Sequence, residues 1–344
     1  MAASTLPETY KAAVVETAGG PLVLKDLPMK HPGPGQLLVK VLACGVCGTD
    51  KLEQQGALPH RDPIVMGHEF VGDVVSLGPG VVTGRFAPGD RVGGAWHGGH
   101  DGVCRACQRG AFQMCDGAVV NGVSVDGGYA GYALLRAEAA VPLPRDADPA
   151  ATAPLLCAGV TVFNGIRKMR VEQGNLVAVQ GLGGLGHLAV QYARAMGYRV
   201  VAISSGAAKE RFAAGLGAHG YIDSSARDPA EVLSGMGGAA LIVATAPSPT
   251  AIGNLVGGLQ AQGKLLVLPI VGPIAVDSAA LVLKGGAVVG WPCGHALDCA
   301  EAVEFAETHG VKCLIEKFPL HEAQRAFDQM ASGEVRFRAV LTME

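Results

Sequence analysis

Long apolar runs and blocks of like charge are both missing from this sequence. No stretch approaches the roughly twenty uninterrupted apolar residues that a membrane-spanning helix requires, so no membrane partner is expected. No run of Lys and Arg exceeds two residues, and the formal net charge is −3. Nucleic acid and anionic membrane surfaces are therefore poor candidates for the main partner. The opening residues, MAASTLPETYKAA, lack a basic segment followed by an apolar one, which leaves no secretory signal and makes the cytosol the expected location. Internal repeats are absent too. With 49% apolar and 17% charged residues, the 344-residue chain has the composition of a soluble globular protein and more length than one ordinary domain needs.

The nine cysteines are odd in number and unevenly spread. Without an export signal they read as metal ligands and free thiols, not as a disulfide framework. The fifty glycines stand singly between apolar runs and show no period, which suits turns in a fold with many short strands.

Up to about residue 150 the pattern is strand-like: KAAVVE, LLVKVLACGV, HEFVGDVVSL and YAGYALL, separated by Pro and Gly. After Pro154 the rhythm changes. NLVAVQG, RVVAIS, GYID, ALIVAT, KLLVLPI and AVVG alternate with helix-like segments such as GHLAVQYARAMG. That alternation predicts a doubly wound parallel sheet with helices on both faces. The expected order is a mostly β domain over 1–153, a dinucleotide-binding domain over 154–292, and a return to the first domain over 293–344, beginning with the helical DCAEAVEFAETHG.

Three residues far apart in sequence suit a metal. Cys47 lies in CGVCGTD, His68 in GHE, and Cys157 in LLCAGVT. Two thiolates and one imidazole neutralise a zinc ion and leave a fourth position for a substrate oxygen. Taken singly, each residue is better explained as a buried thiol or a core histidine; together, in the Gly-His-Glu context, they point to a metal. A second window holds Asp101, Cys104, Cys107 and Cys115. Either the carboxylate of Asp101 completes a four-ligand zinc site with the three thiols, or the thiols are free. His100 is the nearest substitute should Asp101 point away.

GHEFVGDVVSLGPGV resembles the zinc signature of the medium-chain dehydrogenase/reductase superfamily. CGTD around Cys47, GHE at 67–69 and LCAGVT at 156–161 are similar to the zinc-binding segments of its alcohol dehydrogenases, and the likeness runs over essentially the whole chain. The resemblance implies a GroES-like β domain beside a Rossmann domain, with Cys47, His68 and Cys157 as catalytic zinc ligands, the Cys2His set used by alcohol dehydrogenases. It further implies Glu69 as a transient or supporting ligand and Asp50 as the group that orients His68. Cysteine at 157, where polyol dehydrogenases carry Glu, favours simple alcohols. Relatives with four cysteines at the spacing of 101–115 bind a structural zinc there, which gives two zinc ions per chain.

NLVAVQ runs into Gly181-Leu182-Gly183-Gly184-Leu185-Gly186 and then an apolar helix. Strand before and helix after turn a weak glycine pattern into a strong dinucleotide fingerprint, with pyrophosphate on the helix N-terminus. About twenty residues on, where NAD enzymes place an acid for the ribose hydroxyl, this chain has Ser204 and Ser205, then Lys209 and Arg211. Two hydroxyls and a cation suit a 2′-phosphate, so NADP(H) is expected over NAD(H). That arrangement resembles the cinnamyl-alcohol-dehydrogenase-like branch. The resemblance also implies cofactor contacts at Thr161, Thr245, Leu268, Pro269 and Arg338.

The implied reaction is reversible hydride transfer between NADP(H) and a primary or secondary alcohol or aldehyde. Thr49 is placed to accept the hydroxyl proton. Relatives complete this relay with a histidine at the position of Leu52, so here the relay either ends at ribose and water or uses another histidine such as His60 or His97. Leu52 and Trp96 are expected to face the substrate and to favour medium-sized apolar or aromatic aldehydes. Relatives are homodimers or homotetramers joined through a sheet edge of the nucleotide domain, and the same is expected here. The alternatives are a zinc-free quinone or enoyl reductase and a non-catalytic dinucleotide-binding protein.

Overall fold

Valine- and leucine-rich runs punctuated by glycine form strands in both halves of the chain, and the halves differ in how those strands pair. The computed structural model describes residues 6–58, 61–82 and 84–343. It divides into two compact units: residues 1–157, 294–303 and 313–344 form the first, and 158–293 with 304–312 form the second. The change of unit falls after Cys157, a few residues beyond the expected border. The C-terminal return is interrupted, because Glu304–Lys312 belongs with the second unit.

In the first unit a seven-stranded sheet runs Val141–Pro142, Arg91–Gly94, Phe70–Leu77, Gln36–Val46, Arg338–Thr342 and Ile315–Pro319, with Tyr132–Arg136 also paired to Gln36–Val46. All pairs are antiparallel except the last in that order. The strand Gln36–Val46 is the hub. Its register sets Cys44 against Phe70 and Val46 against Ala339. Cys47, the His68–Glu69 pair and Arg338 are thereby carried to one end of one sheet. Leu37, Val39, Val41, Phe70, Tyr129, Leu135 and Leu341 fill the core beneath. Each such side chain contributes about 1.5–3 kcal/mol through burial.

The second unit holds a six-stranded parallel sheet in the order Gly220–Asp223, Arg199–Ser204, Leu176–Gln180, Ala239–Ala244, Leu259–Val267, Ala287–Gly290. Numbered along the unit, this is 3-2-1-4-5-6, the order of dinucleotide-binding sheets. Leu176–Gln180 and Ala239–Ala244 are buried at every position, as expected of strands covered on both faces. The apolar segment after the glycine turn is the helix Gly186–Ala195. No single helix among the described residues is long and apolar enough to cross a membrane.

Candidate active site

The helix Gly48–Gln54 begins at Cys47, whose backbone N–H donates to Asp50 Oδ2 at 2.8 Å. That oxygen also accepts the Tyr129 hydroxyl at 2.5 Å. The other, Oδ1, lies 3.0 Å from His68 Nδ1. Asp50 and His68 are fully buried. The imidazole is held by Nδ1 and turns Nε2 toward the thiols, and its ring packs edge-on against Trp96, 5.0 Å between centroids. Only glycine fits at 67, where φ is +97° and a Cβ would strike the Tyr129 ring.

Ligand atoms of Cys47, His68, Glu69 and Cys157 all lie within 4.8 Å of one another. The two sulfurs are 3.8 Å apart. Two thiolates at about 2.3 Å from a tetrahedral zinc stand about 3.8 Å apart, so the pair fits the ion. Hydrogen bonding to Cys157 and then to His68 holds the Cys47 thiol well below its ordinary range, against the effect of burial. Burial pulls His68 down, but the Asp50 carboxylate and Cys47 outweigh it and hold the imidazole well above its usual value. Glu69 is pushed up to about 7 by burial, with Arg338 opposing. Its Oε1 is ion-paired to the Arg338 guanidinium, and both residues are buried. The expected pyrophosphate contact, Arg338, therefore sits in the first unit, bonded to Glu69. Thr49 Oγ1 is 3.6 Å from Cys47 Sγ, and Leu52 and Trp96 are half-buried.

Sequence reasoning missed Glu53. It is 1% exposed, and among the described residues neither carboxyl oxygen has a hydrogen-bond partner. Burial, with the Asp50 charge behind it, pushes its carboxyl up to about 9, so it is carried as the neutral acid. One signal was available: Glu53 stands three residues after Asp50, on the same helix face. Tyr129 left no comparable trace. His60 lies outside the described residues. His97 is buried and bonded Nε2 to Nδ1 of His100 at 3.1 Å, and burial, then His100, lower it to about 4.

The second cluster assembles too. Ligand atoms of Asp101, Cys104, Cys107 and Cys115 lie within 4.8 Å of one another, and Cys104 and Cys115 are 3.8 Å apart through sulfur. Asp101 points in. Its Oδ1 accepts the backbone N–H groups of Cys104 at 2.9 Å and Val103 at 2.8 Å, and these bonds hold its carboxyl well below the usual range. His100 is instead stacked on Phe112.

In the second unit the glycine turn follows the strand Leu176–Gln180. Gly181 has φ +94°, and a Cβ there would press on Thr245 and Ala246. A Cβ on Gly186 would overlap the carbonyl of Gly181. Gly183 and Gly184 lie within the turn, and Leu185 precedes the first helical residue. Thr245 closes the turn through its N–H and hydroxyl, both donated to the Gln180 carbonyl at 2.9 and 2.8 Å. The two strands meeting there, Leu176–Gln180 and Ala239–Ala244, are where the sheet order reverses, the place such sheets bind ligands. Leu268 follows the next strand, its N–H donated to Ala244. Thr161 is half-buried on the helix Ala158–Lys168. Ser204 ends its strand, with Lys209 Nζ donating to its Oγ at 3.2 Å, and Ser205 is exposed.

The family model for the alcohol dehydrogenase GroES-like domain matches residues 33–145, and that for zinc-binding dehydrogenases matches 184–308. The chain is 53% identical over 341 residues to alcohol dehydrogenase patD of Penicillium expansum, covering 99% of this chain and 100% of that one. Among solved structures, a cinnamyl alcohol dehydrogenase from Sorghum bicolor is 30% identical with TM-score 0.88, covering 97% of each chain. An acetophenone reductase from Geotrichum candidum, in complex with NAD, is 27% identical with TM-score 0.86, covering 98% of each.

Proposed function

The chain belongs to the zinc-containing alcohol dehydrogenase family, and on that premise we propose that it interconverts alcohols and aldehydes with NADP(H), using a catalytic and a structural zinc. The observation that carries this reading is the convergence of Cys47, His68 and Cys157 at a spacing that suits one ion. Zinc held there would supply Lewis-acid polarisation of the substrate oxygen, and a bound nicotinamide would supply or accept the hydride. The rest falls to the chain's own residues. Asp50 fixes the His68 ring so that Nε2 stays directed at the metal position. Thr49, half-buried beside Cys47, passes the substrate proton. Trp96 walls the centre against water, and with Leu52 gives it an apolar lining. Glu69, held by Arg338, is a carboxylate in reserve beside the ligands.

Asp101, Cys104, Cys107 and Cys115 would hold the structural ion. Pyrophosphate would rest on the Gly181–Gly186 turn, with Thr161, Thr245 and Leu268 beside the cofactor. Ser204, Ser205 and Lys209 would take the 2′-phosphate. A second reading, NAD(H), is favoured by the carboxylate of Asp223 beside the same turn. Assembly as a homodimer or homotetramer is supported by the unpaired edge of Ala287–Gly290 and by Val282 and Leu283, 78% and 86% exposed nearby. The test is a panel of alcohols and aldehydes run with both cofactors alongside metal analysis. Active protein without zinc would favour a zinc-free reductase, and cofactor binding with no turnover would favour a non-catalytic role.

A further inference from the structure

The turn after the strand Arg199–Ser204 has no acid of its own, yet the fold delivers one from the next strand. Gly220–Asp223 runs parallel beside it, with Asp223 opposite Ser204. Asp223 Oδ1 accepts the Gly206 N–H at 2.8 Å, the Ser225 N–H at 2.9 Å and the Ser225 hydroxyl at 2.6 Å. From the same strand Tyr221 donates its hydroxyl between the carbonyls of Ser204 and Gly206, at 2.9 and 2.8 Å. The turn is therefore clamped, with Gly206 at φ +90°. The Ser225 hydroxyl and then the Gly206 N–H hold the Asp223 carboxyl below its usual range, so it is charged at neutral pH. The cation whose charge acts on it is Arg227, while Lys209 donates to the Ser204 hydroxyl on the same turn.

We propose that Asp223 is a specificity-determining residue of the cofactor site, its negative charge standing against a 2′-phosphate and leaving a free ribose hydroxyl unopposed. This rests on the reading of Ser204 and Lys209 as the subsite for the 2′ position. A phosphate beside Ser204 carries up to two negative charges and is repelled by a carboxylate across the same turn. A hydroxyl carries none and can donate to a carboxylate. Lys209 and Asp223 thus pull the choice of cofactor in opposite directions.

The test is Asp223→Asn, which keeps an oxygen for the Gly206 N–H and removes the charge. The ratio of kcat/KM with NADPH to that with NADH is expected to rise about fivefold, chiefly through KM for NADPH, and the rise should shrink as salt is added. A ratio changed by less than about twofold, or an equal loss with both cofactors, would overturn the proposal. Should the asparagine variant not fold, Asp223→Ser gives the same readout. Lys209→Ala tests the underlying subsite separately. An unchanged KM for NADPH in that variant refutes the subsite reading, whereas the Asp223 charge is judged on its own ratio.

Discussion

Replacing Glu53 by Gln should stabilise the protein, and the gain should depend on pH in one direction. The two side chains have nearly the same shape, and both bury an unpartnered polar head, so the variant differs mainly in having no proton to lose. In the folded chain the carboxyl titrates at about 9 against an ordinary 4.5. The unfolded chain releases that proton above pH 4.5 while the folded chain keeps it, so wild-type stability falls as pH rises from about 4.5 to about 9. At roughly 1.4 kcal/mol per pH unit, the penalty reaches about 3 kcal/mol at pH 7. Relaxation around the site reduces it, and a measured gain of about 1–3 kcal/mol is expected. A zinc ion held by two thiolates would leave the local field little changed, because their charges offset its own. Urea unfolding at pH 5 and pH 8, followed through Trp96 in a Trp291→Phe background, reads the difference. The reasoning fails if Glu53→Gln gains the same at both pH values, or gains nothing at pH 8.

Other consequences are as direct. Cys47→Ser should lower turnover by roughly a thousandfold or more while NADPH fluorescence still reports binding; retained turnover would remove the catalytic-metal reading. Metal analysis should find two zinc ions per chain. Asp101→Ala should lower the count towards one and reduce thermal stability, and Asp101→Cys should keep both ions; a wild type with one would end the case for the second site. Ser204→Asp should move preference toward NAD(H) by about tenfold, read from kcat/KM with each cofactor, and a wild type already favouring NAD(H) would refute the interpretation of the serines.

The second unit was the more legible half. RVVAIS, GYID and AVVG are strands at those residues, and GHLAVQYARA is a helix, because short Val- and Ile-rich parallel strands and apolar helices write their pattern locally. Cys47, His68 and Cys157 could be picked out through the segments that surround them. Asp101 was visible as a fourth donor, but only the structure turns it inward. What stayed hidden depends on pairing across the sheet. Arg338 meets Glu69 because Val46 lies opposite Ala339, and Asp223 meets Gly206 because two parallel strands keep a particular register. Neither contact leaves a periodic mark. Glu53 was passed over for a different reason, since a glutamate on a short helix is ordinarily solvated.

Asp50 joins the first turn of a helix, an imidazole and a tyrosine through one carboxylate. Two oxygens serve three attachments, so the carboxylate that faces the His68 ring cannot turn without loosening the helix start or releasing the phenol. Stiffness at the metal position is thus built from sequence-distant parts that must move together or not at all. Any looseness that turnover demands has to be found elsewhere in the chain.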